Sequence, residues 1–329
     1  MNYFFGHKTA LSILRRNPNI GKLPRSRAVP SACKTPRAAE LQEKIAALPA
    51  EAKAAIEDYD AVSIVVANSK TRSQARWINS HVWALPERES CFIDLGNGLY
   101  CSSPEFCYAQ MSRECQNEIA LAKLGFELCG SYSLNPFISI GFTSRKPIAS
   151  TDSIERFLEK CPDKKLGTAQ RALRHVANNA ASPMECFLAL TFGLPARLGG
   201  YGLGVPRMNM AVEVPASKNN RVTHDSYHCD LFWPEAKVAV EYNSREFHLS
   251  ERAVELDTSR VNNLLAAGIT TIAVTRFHAK DPQKIDAIAH SIAGHMGKRV
   301  RTTYEDIHMR RAALRQRLLA QDPWMPGRN

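Results

Sequence analysis

No pair of cysteines at CxxC spacing occurs in the 329 residues, although nine cysteines are scattered along them. Disulfide frameworks and tetrahedral zinc sites need closer, patterned spacing, so these thiols read as reduced, small core residues. No run approaches the roughly 18 apolar residues of a membrane-spanning helix. Internal repeats and low-complexity tracts are also missing. Asp and Glu are absent from the first 37 residues, which hold eight Lys or Arg. The opening "MNYFFGHKTALSILRR" is too short and too broken by charge for a secretory signal. Its basic, acid-free composition is one that transit peptides share, but its apolar residues fit an amphipathic helix better. A cytoplasmic location is the simplest expectation.

What is present is ordinary globular material, 44% hydrophobic and 23% charged, with length enough for two cores. Formal charge is +11, and the excess is uneven. Besides the basic N-terminus, the tail from Lys298 carries eight basic residues against three acids. Such ends suit a polyanion, because each neutralised phosphate releases counterions. Solvated helix faces explain them equally well, so charge permits a nucleic-acid partner without requiring one.

Residues 1–37 read as a helix and a Pro-, Arg- and Ser-rich connector. Two short alanine-rich helices follow around Pro49, then a buried strand in "AVSIVVANS". "CFIDLGNGLYCSS" reads as two strands about a Gly96-Asn97-Gly98 turn. Ser103 and Pro104 open a helix that runs to about Gly130. The polar stretch from about Asn135 to Lys165 is the expected linker. Beyond it, "SPMECFLALTFGLP" is a helix opened by Ser182 and Pro183. Strands then follow in "MAVEVP", "SYHCDLFW" and "KVAVEYN", a helix over "SERAVELDTSRVNNLLAAG", a strand in "ITTIAVT", and a helix from Asp281-Pro282. The expected organisation is an α+β N-terminal domain over 1–150, regulatory or DNA-targeting in role. A linker with a helix over 151–181, an α/β domain with a mixed sheet over 182–297 and a basic helical tail over 298–329 complete it.

Two acids stand out. Asp230 and Glu241 lie in nearly continuous apolar runs, "CDLFW" and "VAVEYN", which suit strands covered on both faces. With Pro234-Glu235 as a two-residue turn, Trp233 faces Ala236 and Asp230 faces Ala239. Alternation then puts Lys237, Ala239, Glu241 and Asn243 on one face, with Asp230 and Glu241 as diagonal neighbours. Two converging carboxylates are what Mg²⁺ needs, with Lys237 offsetting charge on phosphoryl oxygens. A solvent-exposed face is the alternative.

The segment from Ser182 to about Met296 resembles the PD-(D/E)XK nuclease superfamily, and most of all its very-short-patch-repair-like endonuclease branch. The likeness is carried by "SPMEC", by "DLFWPEAK" running into "VAVEYN", by His248, by Asp257 and Arg260, and by "LLAAGI" with "TIAVTRFH". It implies a restriction-endonuclease-like mixed sheet flanked by helices and a Mg²⁺- or Mn²⁺-dependent DNA endonuclease or nickase. Asp230, Glu241 and Glu185 would be its metal ligands, and Asn243, Lys237 and His248 the further catalytic candidates. Ser182-x-x-Glu185 is equally a capping box, His248 equally a surface histidine, and Asp257 with Arg260 reads better as a local ion pair. The chain departs from the pattern at Asn243, where the superfamily has lysine and the branch an aspartate before glycine. A non-catalytic nucleic-acid-binding regulator is therefore the second expectation. The N-terminal 150 residues bear a weaker resemblance to actinobacterial proteins grouped with abortive-infection antitoxins, through "GHKTAL", "GLYCSSPEFCYAQM" and "LGFELCGSY". Expected partners are nucleic acid, DNA first, and a second copy of the chain, with no membrane.

Overall fold

Tyr3, Phe4 and Phe5 are all buried, and that apolar triplet forms a strand where the sequence suggests the start of a helix. In the computed structural model, which describes residues 1–215, 224–243, 261–302 and 304–325, this strand β1 (Tyr3–Phe5) is an inner member of a sheet. Its helix begins only at His7: α1 spans His7–Arg16. The chain divides into two units. One is Met1–Val176 together with the stretch from Gln321, and the other is Ala177–Ala320. The architecture is mixed α/β throughout.

In the first unit, the short β2 (Arg25–Ser26) precedes α2 (Ala38–Ala46) and α3 (Ala50–Glu57). Pro49 separates these helices because it cannot donate to an ongoing helix. Strands β3 (Val62–Val66), β4 (Ile78–Val82), β5 (Phe92–Gly96) and β6 (Leu99–Ser102) complete a six-stranded mixed sheet of order β2-β5-β6-β1-β3-β4. The turn between β5 and β6 uses left-handed Gly96, Asn97 and Gly98, as the Gly-Asn-Gly signal implies. The stretch expected as one helix to Gly130 is two, α4 (Pro104–Glu114) and α5 (Glu118–Cys129). Asn117 explains the break: its side chain accepts from the N–H groups of Ile119 and Ala120 and so starts a new helix. The expected linker holds a hairpin, β7 (Tyr132–Leu134) with β8 (Phe142–Ser144), and the amphipathic α6 (Thr151–Lys160). α7 (Gly167–Leu173) closes this part of the chain.

An ion network fastens the C-terminal stretch into the same unit. Arg15 is buried and lies 2.7 Å from Glu127 Oε2 and 2.8 Å from Asp322 Oδ2. Trp324 is buried beside it in sequence, and its carbonyl accepts from the Tyr59 hydroxyl at 2.6 Å.

The second unit begins with α8 (Pro183–Gly193), capped by Ser182. Strands β9 (Arg207–Pro215), β10 (His224–Trp233) and β11 (Val238–Asn243) form an antiparallel meander. The helix α9 is described over residues 261–266. It leads through left-handed Gly268 to β12 (Thr270–Thr275), which pairs parallel to β11. The sheet order is therefore β12-β11-β10-β9. α10 (Arg276–Lys280), α11 (Pro282–His295) and α12 (Ile307–Leu319) follow. Cys229, Phe232, Ala239, Leu264 and Ile269 pack together as a core cluster. Phe192 of α8 meets Trp233 at a centroid distance of 6.5 Å.

Candidate functional site

The connection between β10 and β11 decides which acids meet. Its length is four residues, not two: Pro234–Ala236 make one 3-10 turn and Lys237 is left-handed at φ 50°. Pairing is Trp233 with Val238, Phe232 with Ala239 and Leu231 with Val240, which replaces the expected facing of Trp233 with Ala236. Continued by one residue, this register sets Asp230 opposite Glu241 rather than diagonal to it. The backbone supports that placement, since Tyr242 N–H donates to Asp230 Oδ2 at 2.7 Å. The Asp230 carboxylate thus reaches across to β11 at the residue after Glu241.

Glu241 is 8% exposed and Glu185 is 6% exposed. Glu185, in the first turn of α8, accepts from Ala181 N–H at 2.8 Å, from the Ser182 hydroxyl at 2.9 Å and from Asn209 Nδ2 at 2.6 Å. This is an extended form of the anticipated helix cap, and Asn209 reaches it from β9 with left-handed φ 47°. Burial pushes the Glu185 carboxyl above its usual range, the Ala181 N–H opposes this, and the negative charge of Asp230 pushes it further. A buried carboxyl whose proton affinity is raised by burial and by a neighbouring carboxylate forms a site that favours a cation or a proton.

Asn243 ends β11, exposed, two residues beyond Glu241. Lys237 precedes β11 and lies outside the strand, so pleat alternation no longer places it beside the acids. It lies four positions before Glu241, roughly 13 Å along an extended chain. Its carbonyl instead accepts from Thr270 N–H at 2.9 Å. His248, Asp257 and Arg260 lie outside the described residues.

A second constellation, in the first unit, escaped the sequence reading. His7, His81 and Glu114 bring potential ligand atoms within 4.8 Å of one another. The His7 and His81 rings stack at 3.7 Å, and His7 Nδ1 lies 2.6 Å from Glu114 Oε1. The backbone is shaped for this. His7 is left-handed at φ 52°, its N–H donates to Gln110 Oε1, and a Cβ on Gly6 would stand 2.6 Å from Val65 Cγ2. Trp83 settles the proton on the ring. Its indole N–H, which can only donate, lies 2.8 Å from His7 Nε2, so Nδ1 carries the proton and gives it to Glu114. A nitrogen holding that proton has no lone pair for a metal, and the trio reads as a hydrogen-bonded relay. Burial, then the neighbouring His7, pulls His81 down to about 4 and keeps it neutral near pH 7. The only local signal was the Gly-His pair; the partners lie 74 or more residues away.

Comparison with known proteins finds no matching family model, no matching curated protein and no matching solved structure. Among the described residues, no helix is long and apolar enough to cross a membrane.

Proposed function

We propose that the second unit is a metal-dependent nuclease that hydrolyses phosphodiester bonds in DNA. One observation carries the reading: the Asp230 carboxylate lies within electrostatic reach of buried Glu185 and is bonded to β11 beside buried Glu241. The connectivity supports it as well. A helix, three antiparallel strands, a helix and a parallel strand are what the resemblance to PD-(D/E)XK nucleases, and a restriction-endonuclease-like fold, would require.

Asp230 and Glu241 would hold Mg²⁺ or Mn²⁺, with Glu185 as a third oxygen donor; the charge of Asp230 acting on buried Glu185 is the feature that fits a cation. When bound, the ion would polarise the phosphate and favour ionisation of a water. The protein's own groups do the rest. Tyr242 N–H fixes the orientation of Asp230, Asn209 and Ser182 fix that of Glu185, and Asn243 orients water by its amide. His248 is the candidate for proton transfer.

A second reading, a catalytically inactive nucleic-acid-binding regulator, draws support from Asn243 and Lys237. The lysine position of the superfamily holds an amide, and the nearest lysine in sequence, Lys237, lies just before β11, at the end away from Asn243. One experiment separates the two. Purified full-length protein is incubated with supercoiled plasmid, with and without Mg²⁺ or Mn²⁺, beside Glu241→Ala. Metal-dependent nicking lost in the variant supports the nuclease. Intact plasmid with salt-sensitive DNA binding supports the regulator.

A further inference from the structure

Of all the surfaces of the first unit, one gathers cations that the fold itself does not use. A cavity of about 360 Å³ opens between β2, the loop before β5, and the starts of α4 and α6. Five cationic side chains line it, Arg25, Arg27, Arg88, Arg156 and Lys160, against two carboxylates, Glu89 and Glu105. Each carboxylate is already committed. Glu105 is held by Arg25 at 2.8 Å and 3.3 Å and accepts from the Ser153 hydroxyl at 3.1 Å. Burial works against its charge, yet Arg25 keeps its carboxyl below the usual range, so it stays ionised and engaged. Glu89 is paired with Lys160 at 2.6 Å.

Arg27, Arg88 and Arg156 are left over. None has a carboxylate partner among the described residues, and all three are exposed at the cavity rim. Arg88 is held there by a left-handed backbone, φ 61°, a conformation non-glycine residues seldom adopt. Arg156 is anchored by its Nε–H to the Asp152 carbonyl at 3.2 Å. The floor adds positive potential: Ser103 caps α4, Ser153 lies in the first turn of α6, and both line the cavity. Three unpaired guanidinium groups around one hollow repel each other, and an anion relieves that repulsion. Guanidinium forks match phosphate oxygens in pairs.

We propose that this cavity binds a phosphate group, supplied either by a nucleic-acid backbone or by a free nucleotide. Its volume lies at the small end of ligand sites, enough for a diphosphate or one nucleotide. None of its residues belongs to the acids of the second unit, so the two readings fail separately.

The test is pyrophosphate binding to the full chain by titration calorimetry, followed by competition with a labelled DNA duplex and with ATP. Arg27→Ala/Arg156→Ala removes two rim charges; Lys164→Ala/Lys165→Ala, outside the cavity, controls for net charge, and thermal melts control for folding. Pyrophosphate binding weakened about tenfold or more in the first variant alone supports the site. If DNA binding also weakens and its salt slope falls by about two, the phosphates come from nucleic acid. If only ATP binding weakens, they come from a nucleotide. No measurable pyrophosphate binding, or equal binding in both variants, overturns the proposal.

Discussion

The indole N–H of Trp83 points at His7 Nε2 from 2.8 Å, and that single contact dictates which nitrogen of a buried histidine carries its proton. Replacing the donor reverses the logic. Trp83→Phe leaves Nε2 buried without a partner and is expected to cost about 1–3 kcal/mol by urea denaturation. Nitrogen-15 shifts of His7 should then report loss of the Nδ1–H tautomer. Retention of that tautomer would assign its control to Glu114 alone.

His81 gives a pH signature. Its folded pKa lies below its unfolded value, so the stability it contributes is present above about pH 6.5. That contribution is lost as pH falls toward about 4. Arg72, Arg113, His7 and Glu114 all act on this ring, so the comparison must be differential. Urea midpoints from pH 7 to pH 4.5 should fall more steeply in the wild type than in His81→Gln.

Glu185 titrates with the opposite sense. Its folded pKa is raised, so the neutral form is favoured and stability declines as pH climbs through that value. A divalent ion that satisfies Glu185, Asp230 and Glu241 relieves a penalty present only when they are ionised. Millimolar Mn²⁺ should therefore raise Tm more at pH 8 than at pH 5, and Glu241→Ala should abolish the difference. An equal shift at both pH values would point to nonspecific binding.

The Arg15 network sets the largest expected loss. Arg15 is held by Glu127 through Nε at 2.9 Å and Nη2 at 2.7 Å. Both side chains are almost wholly buried. Glu127→Ala removes the bidentate partner of a buried guanidinium, leaving it Asp322 alone, and should cost about 3 kcal/mol in equilibrium denaturation. Asp322→Ala, which leaves Glu127 in place, should cost less. An equal loss would mean that the C-terminal stretch carries the stabilisation.

Local signals were legible, and long-range ones were not. Gly96-Asn97-Gly98 announced its hairpin, Ser103-Pro104 and Ser182-Pro183 announced their helices, and β-branched runs announced β3 and β12, because each depends on a few neighbouring residues. Tyr3–Phe5 was missed because three residues are too few to show strand alternation; only Ser63 and Gly98, which bond to Gly6 and Tyr3, reveal that segment as sheet. The break at Asn117 lay in a short polar stretch, Arg113 to Glu118, that fits a solvent-facing helix turn as well as it fits a cap. At Pro234 the composition was right for a turn, but its length depended on Lys237 entering the left-handed region. Asp230 and Glu241 were singled out by their apolar neighbours, whereas their direct opposition needed the register. The His7 relay and the return of Asp322 to Arg15 join residues far apart in sequence.

That return imposes an order on synthesis. The first unit needs Asp322 and Trp324 to finish its interior, and both follow the whole second unit along the chain. The N-terminal half cannot mature as it emerges, as leading domains ordinarily do. It must wait, with Arg15 lacking its second carboxylate, while the whole intervening unit is made.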